Sequence, residues 1–267
     1  MLAWRLLLSA VLIPSFVAVF WFDATYCGAY AYAFLVVCLV LAVRCAWELV
    51  GLLRARGLPA DALPTAVLCV LVIAAGWVLH WRAGSEPWTW RTTLAALGGV
   101  AFVYAGCVLV ILFTASLEFR APGRSVEKLG SALLVVSYIG VLTAVTAQLR
   151  WIEGGRGGYL ALGSLLVAVK MGDTGGYTLG RLFGKRKMVP LLSPGKTWMG
   201  GLGALVFAAV GAWAWLHFAT PLFNPEWPPP APHWALLYGL VLGAVGLVGD
   251  LAESLIKRDV GRKDAAA

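Results

Sequence analysis

Residues 234–258, WALLYGLVLGAVGLVGDLAESLIKR in one-letter code, join a long apolar stretch directly to a charged one. A helix needs about 20 mostly apolar residues to cross a bilayer. The stretch therefore predicts a membrane-spanning helix that ends in Asp250, Glu253, Lys257 and Arg258. Charge at the edge of a membrane is costly and usually functional, so this end of the helix is a candidate site.

The composition excludes an ordinary soluble domain. Hydrophobic residues make up 61% of the 267 residues and charged residues 13%, with a mean hydropathy of +0.83. Soluble domains carry about 25% charged residues. The net charge is +8, and the basic residues responsible for it lie between apolar stretches. This placement indicates loops that face the cytoplasm and anionic lipid. It does not favour a nucleic acid partner. The five cysteines form no C-x-x-C pair, which argues against disulfides and zinc.

Eight stretches are long and apolar enough to span a membrane. The sixth is the weakest, because Lys170 and Asp173 interrupt it, and the first favours a retained span over a signal peptide. The predicted fold is an all-α polytopic membrane protein, divided into an N-terminal membrane region, 1–150, and a C-terminal region with the catalytic motifs, 151–267. The eight stretches are approximately 4–22, 30–53, 63–81, 93–114, 129–149, 158–180, 199–219 and 234–256.

The distribution of basic residues predicts the orientation. With the N-terminus in the cytoplasm, most of the 21 lysines and arginines fall in inside segments. The outside loops then hold only Arg82, Arg91, Arg150 and Arg156. Cytoplasmic loops are enriched in Lys and Arg, so the sequence predicts an N-terminus inside and three polar clusters on the cytoplasmic face.

The first cluster is Lys170-Met171-Gly172-Asp173-Thr174-Gly175-Gly176-Tyr177. Lys170 and Asp173 are three residues apart, so they share a helix face and can pair. One interpretation is a buried ion pair that only fixes helix packing. The glycines favour a second interpretation, a cavity wall, because they let another backbone come close.

The second cluster contains Gly184-Lys185-Arg186-Lys187 and Ser193-Pro194-Gly195-Lys196-Thr197-Trp198. Pro194 and Gly195 predict a tight turn. The turn would present Ser193, Lys196 and Thr197 at the start of the next helix, where exposed amides favour a phosphate. The spacing differs from that of a Walker A loop.

The third cluster is the charged end of residues 234–258. Asp250, Ser254 and Lys257 are spaced to share one helix face, and Glu253 can instead pair with Lys257. Asp250 is the best candidate metal ligand, because Mg²⁺ binds carboxylates together with substrate phosphates. Many cations with few carboxylates indicate phosphoryl or nucleotidyl transfer.

These clusters resemble the motifs of the phosphatidate cytidylyltransferase (CDP-diacylglycerol synthase) family, and Ala46-Trp47-Glu48 is similar to an early family feature. The resemblance preserves the order of the motifs from about residue 46 to residue 264. It implies the reaction of CTP with phosphatidate to give CDP-diacylglycerol and pyrophosphate, with Mg²⁺ and room for a second, monovalent or divalent cation. It also implies a bacterial inner-membrane protein with its active site facing the cytoplasm, and it is compatible with a homodimer.

The resemblance also implies roles for particular residues. Asp250, Lys257 and Asp173 would be catalytic, and Asp250 and Asp264 would bind metal. The residues implied to bind substrate are Lys170, Ser193, Lys196, Thr197, Ser254 and Arg258.

The chain departs from the family after Lys263-Asp264. The family continues with a loop resembling P-G-H-G-G-x-x-D-R-x-D and a further span, whereas this sequence has Ala265-Ala266-Ala267. The expectation is a fragment or truncated chain with an incomplete acidic set. Three alternatives stay open: a CTP-dependent kinase of a polyprenol-type lipid, a truncated inactive homologue, and a transporter using Lys170 and Asp173.

Overall fold

Helices form nearly all of the secondary structure in the computed structural model, which describes residues 15, 17–83, 89–120 and 122–261. The antiparallel hairpin of β1 (Lys187–Val189) and β2 (Ser193–Thr197) is the exception in this part of the chain. The prediction of an all-α protein is therefore confirmed. The α-helices are α1 (Tyr32–Ala55), α2 (Ala62–Ala83), α3 (Trp90–Glu118), α4 (Ser125–Val135), α5 (Leu142–Ala147), α6 (Arg156–Phe183), α7 (Trp198–Phe223) and α8 (Pro232–Asp259).

Short helices of other types connect some of these elements. A π-helix, Asp23–Cys27, and a 3-10 helix, Gly28–Tyr30, precede α1. A second π-helix, Val136–Val141, joins α4 to α5, and a 3-10 helix, Gln148–Gly155, follows α5. The helical path from α4 through α5 is therefore long enough to form one span.

Six helices of the described residues are long and apolar enough to cross a membrane. Their outer faces carry large apolar side chains such as Phe102 and Leu222, which are 81% and 84% exposed. Such faces suit lipid, because a helix satisfies its own backbone hydrogen bonds. The chain is an integral membrane protein. The six spans are Tyr32–Ala55, Ala62–Arg82, Trp90–Glu118, Ser125–Glu153, Trp198–Phe223 and Pro232–Asp259.

These six spans coincide with six of the eight predicted ones. The predicted span at 4–22 lies mostly outside the described residues. The predicted span at 158–180 forms a helix, α6, but α6 is not among the six. Charged residues and glycines lower the hydropathy of α6. The same residues make this stretch the weakest of the eight spans predicted from the sequence.

Local sequence signals set the helix ends. α3 begins with a capping box, in which Thr89 Oγ1 accepts from Thr92 N at 3.3 Å and Thr92 Oγ1 accepts from Thr89 N at 3.4 Å. α1 ends before Gly57, whose φ of +81° favours glycine. α8 begins at Pro232, which lacks the N–H group that the first turn leaves unused.

The contacts divide the chain into two units, Met1–Gly155 and Arg156–Ala267. The first unit contains a buried ion pair, in which Arg150 Nε lies 3.0 Å from Asp23 Oδ2. Asp23 Oδ1 also accepts from Phe34 N at 3.1 Å, and Arg150 donates to the Gly28 carbonyl at 2.8 Å. The expectation that Arg150 is a loop charge is wrong, because its side chain is 3% exposed.

Aromatic and polar side chains of the same unit meet near the C-terminal end of α2. The His80 ring stacks on Trp151 with 3.8 Å between ring centroids. His80 Nε2 also lies 2.9 Å from Gln148 Oε1. The histidine is therefore satisfied inside the first unit.

Candidate functional site

A cavity of about 250 Å³ lies within the second unit. Its walls come from α6, β1, β2, α7 and α8. Three charged side chains of the described residues line it, namely Asp173, Lys196 and Asp250. Most of the other lining residues are glycines and small apolar residues, so these three side chains carry all the charge of the lining.

Glycine allows the helices around the cavity to touch. A Cβ atom on Gly175 of α6 would overlap the carbonyl oxygen of Gly203 in α7. A Cβ atom on Gly239 of α8 would lie 2.6 Å from Cα of Ala209 in α7. The prediction that the glycines admit another backbone is confirmed, and the cavity forms where Gly172 and Gly176 put no side chain.

Lys196 on β2 and Asp250 on α8 form an ion pair, with 2.6 Å between Nζ and Oδ2. The Lys196 side chain is 16% exposed, whereas the Asp250 side chain is 59% exposed. Nζ itself is buried and makes no hydrogen bond of good geometry within the described part of the chain. A buried ammonium with unused donors favours an anionic ligand.

Thr197 forms the start of α7 beside this ion pair. Its Oγ1 accepts a hydrogen bond from Gly200 N at 3.0 Å, which makes Thr197 the N-cap residue. Thr197, Gly200 and Gly201 all line the cavity. The positive end of the helix dipole therefore faces the same space as Lys196.

The expected tight turn at Pro194 and Gly195 is wrong. Residues 193–197 form strand β2, and the turn lies at 190–192. β2 pairs with β1, so the backbone of this segment is extended. Pro194 is tolerated because an edge strand does not need every N–H group. The strand still delivers Lys196 and Thr197 to the start of α7, as the sequence predicted.

Asp173 and Lys170 lie on α6, with 3.6 Å between Lys170 Nζ and Asp173 Oδ2. The predicted pairing is thus confirmed. Both side chains are exposed, at 79% for Lys170 and 66% for Asp173. Asp173 lines the cavity and Lys170 does not. The interpretation as a buried ion pair that only fixes helix packing is therefore wrong, because both side chains are exposed, whereas the interpretation as a cavity wall holds for Asp173.

The last two turns of α8 lie beyond the cavity lining. Lys257 Nζ pairs with Glu253 Oε1 at 2.5 Å, and Ser254 Oγ donates to the Asp250 carbonyl at 2.8 Å. Arg258 Nε donates to the Leu192 carbonyl at 3.3 Å, which ties α8 to the hairpin turn. The alternative that Glu253 pairs with Lys257 is therefore confirmed.

One further predicted residue of the described part of the chain is not among those that line the cavity. Ser193, the first residue of β2, is half-buried and opposite Val189 in the hairpin. Asp264 lies outside the described residues. The cavity therefore unites Asp173, Lys196, Thr197 and Asp250, and leaves Lys170, Ser193, Ser254, Lys257 and Arg258 around it.

Two of the larger side chains that line the cavity are not among the predicted site residues. Met188 of β1 and Tyr177 of α6 line the cavity. Tyr177 accepts a hydrogen bond from Arg181 Nη1 at 2.9 Å. Tyr177 stood inside the first quoted cluster, whereas Met188 becomes a lining residue only through the hairpin, which the sequence analysis did not predict.

The acidic residues of the cavity suit magnesium bound together with phosphate. The described residues contain no group of three or more His, Cys, Asp or Glu side chains that could hold a metal. Mg²⁺ is often held by one or two carboxylates, with waters and substrate phosphates completing its octahedron. Asp173 and Asp250 supply such a pair on the lining of one cavity.

Comparison with known proteins identifies relatives. The sequence profile of the Cytidylyltransferase family matches residues 3–267. The chain is 31% identical over 224 residues to a phosphatidate cytidylyltransferase of Mycobacterium bovis, covering 81% of this chain and 66% of that protein. It is 27% identical over 173 residues to a phosphatidate cytidylyltransferase of Haemophilus influenzae, covering 65% of this chain and 59% of that protein. The chain thus spans less than two thirds of the length of these curated relatives.

Proposed function

Because the chain belongs to the cytidylyltransferase family, we propose that it transfers a cytidylyl group from CTP to phosphatidate. A phosphate oxygen of phosphatidate attacks the α-phosphorus of CTP. The bond from the α-phosphorus to the bridging oxygen of the β-phosphate breaks, which gives CDP-diacylglycerol and pyrophosphate. Support comes from the relatives named phosphatidate cytidylyltransferase and from one observation in the cavity, the buried Lys196 ammonium beside Asp250.

In this proposal Lys196 binds the phosphates of CTP. Its ammonium is enclosed and has donors to spare, and α7 begins next to it, so the positive end of the helix dipole adds to its charge. Positive groups fixed in advance around transferring phosphates stabilise developing charge without reorganisation. Thr197 holds the first turn of α7 in place through its bond to Gly200. Lys257 and Arg258 add positive charge on the last turn of α8.

Asp250 and Asp173 are the residues proposed to hold Mg²⁺, with Asp264 as a further candidate and room for a second cation. When bound, the metal would neutralise phosphate charge and polarise the phosphorus–oxygen bonds. Asp250 is well suited to binding a metal ion, because its side chain is 59% exposed even though it pairs with Lys196.

The proposed setting is a bacterial inner membrane, with about eight spans and the N-terminus and the cavity on the cytoplasmic side. The concentration of lysine and arginine in alternate loops supports this orientation. It lets the acyl chains of phosphatidate stay in lipid while CTP arrives from water.

Product analysis tests the proposal. Membranes containing the 267-residue chain are incubated with phosphatidate, Mg²⁺ and CTP carrying separate labels in the cytidine and the γ-phosphate. We expect cytidine label in the lipid and γ-label in pyrophosphate, both abolished by EDTA. In a parallel incubation with a polyprenol in place of phosphatidate, a γ-labelled lipid with free CDP would instead identify a lipid kinase, and unchanged CTP in both incubations would contradict both activities.

A further inference from the structure

The last turn of α6 and the segment between α6 and α7 present positive charge that no carboxylate of the described residues pairs with. All of the cations are exposed. The cations are Arg181, Lys185, Arg186 and Lys187. Arg181 contacts Tyr177, as a hydrogen-bond donor and over its ring. By contrast, Lys170, Lys196 and Lys257 of the same unit each pair with a carboxylate.

The tip of the hairpin is apolar and open. Leu191, in the turn between β1 and β2, is 99% exposed. Leu182 and Phe183, at the end of α6, are 66% and 57% exposed. A fully exposed leucine at a loop tip gains nothing from water, whereas apolar groups next to cations are typical of segments that lie in a lipid interface.

A direct chain connection and a hydrogen bond fix the hairpin at the ends of membrane-spanning helices. α7 begins at Trp198 directly after β2, and Trp198 is 57% exposed. Tryptophan at the end of a span is typical of the membrane–water interface. Arg258, near the end of α8, holds the Leu192 carbonyl of the turn. The hairpin therefore lies where α7 and α8 both meet water.

We propose that this hairpin binds the anionic lipid surface, with Leu191 inserted among the headgroups and Lys185, Arg186 and Lys187 bound to lipid phosphates. The partner is lipid because Leu191 contributes nothing to binding a soluble anion. β1 and β2 also line the cavity through Met188 and Lys196. Anionic lipid bound by the hairpin would therefore lie beside the cavity. A role of this lipid in supplying substrate rests on the proposed function, whereas the binding of lipid to the hairpin does not.

Fluorescence quenching by lipid tests the proposal without any turnover. An environment-sensitive fluorophore is attached at Leu191→Cys in a chain with Cys27→Ser and Cys45→Ala, because the other three cysteines are buried. The protein is placed in bilayers with equal bromine content, carried by either phosphatidylglycerol or phosphatidylcholine. We expect quenching at position 191 in both bilayers and about fivefold or greater local enrichment of the anionic lipid, since each cation near the surface contributes about 1 kcal/mol.

The controls separate the tip from the charges. The label at Arg120→Cys, an exposed loop position, should show little quenching. Phosphatidylglycerol and phosphatidylcholine should quench equally in a triple variant that loses the three charges, Lys185→Gln/Arg186→Gln/Lys187→Gln. The preference for phosphatidylglycerol should remain in a double variant that keeps the charges, Lys185→Arg/Lys187→Arg. Molar NaCl should remove the preference in the otherwise unaltered labelled chain, because it screens charges beyond about 3 Å.

Three results would overturn the proposal: no more quenching at 191 than at 120, equal quenching by both lipids at low salt, or a preference that persists in the triple glutamine variant. None of them bears on cytidylyl transfer. Conversely, absence of CDP-diacylglycerol synthesis would leave the lipid contact intact.

Discussion

Lys196 Nζ lies 2.6 Å from Asp250 Oδ2, and this contact joins strand β2 to helix α8. The two partners differ in environment, because the ammonium is enclosed and the carboxylate is open to solvent. Removing one charge should therefore not have the same effect as removing the other, and the first two predictions use this asymmetry.

Asp250→Asn should abolish most cytidylyl transfer. A metal ligand contributes several kcal/mol of transition-state stabilisation, so we expect a loss of kcat/KM of about a thousandfold. Initial rates of CDP-diacylglycerol formation at saturating Mg²⁺ measure it. Glu127→Gln, which removes an exposed carboxylate paired with Arg124, is the control. Near-normal turnover in Asp250→Asn would refute the metal role.

Asp250→Asn should also destabilise the protein more than Lys196→Met does. The first variant leaves an enclosed ammonium without its counter-charge and should cost about 1–3 kcal/mol, whereas the second leaves a carboxylate that water can solvate. Thermal unfolding in detergent measures both. In the double variant, stability should recover while activity stays low. Recovery of both would assign the pair a purely structural role.

Gly175→Ala should destabilise the second unit, because its new Cβ would overlap the Gly203 carbonyl and the Phe207 side chain. Overpacking of this kind typically costs about 1–3 kcal/mol. Gly249→Ala is the matched control, since no atom lies within 4 Å of a Cβ placed there. That variant should gain about 0.5–1 kcal/mol, as alanine favours a helix interior over glycine. Equal unfolding temperatures for the two variants would contradict the close contact between α6 and α7.

Thr197→Val should lower stability by about 1 kcal/mol, because the valine cannot accept the hydrogen bond from Gly200 that caps α7. Thr197→Ser keeps the acceptor and should stay close to the unaltered protein. Thermal unfolding of the two variants in the same detergent checks the difference. A serine variant as unstable as the valine variant would point to packing of the threonine methyl group instead.

Arg150→Met should be the most destabilising of these substitutions, at about 3–5 kcal/mol, because it removes the counter-charge of the buried Asp23 carboxylate. Adding Asp23→Asn should restore much of the loss. The exposed pair of Arg124 and Glu127 is the comparison, and Glu127→Gln should cost under about 1 kcal/mol. A small effect of Arg150→Met, measured by chemical unfolding, would show that solvent reaches the pair.

Properties that depend on neighbours in sequence were predictable. Hydropathy and length located six spans, and helical spacing alone predicted the pairs of Lys170 with Asp173 and of Glu253 with Lys257. Residues three or four apart on a helix are always close, so no knowledge of the tertiary structure was needed.

Properties that depend on distant contacts were not predictable. Pro194 and Gly195 have the local preferences of a turn, but pairing with β1 extends them into a strand. Nothing in one sequence identifies Asp250 as the partner of Lys196. Arg150 likewise has the local context of a loop charge and is buried only because Asp23 meets it.

The pair of Asp23 and Arg150 has a consequence for biogenesis. Asp23 precedes the first described span, Tyr32–Ala55, whereas Arg150 lies near the end of the span Ser125–Glu153. During synthesis Asp23 is therefore made long before Arg150 exists, and burying a carboxylate without its counter-charge is strongly disfavoured. The Asp23 side chain should consequently stay solvated until residue 150 has been made, so that closure of this part of the first unit is a late step in which both ends of the unit take part.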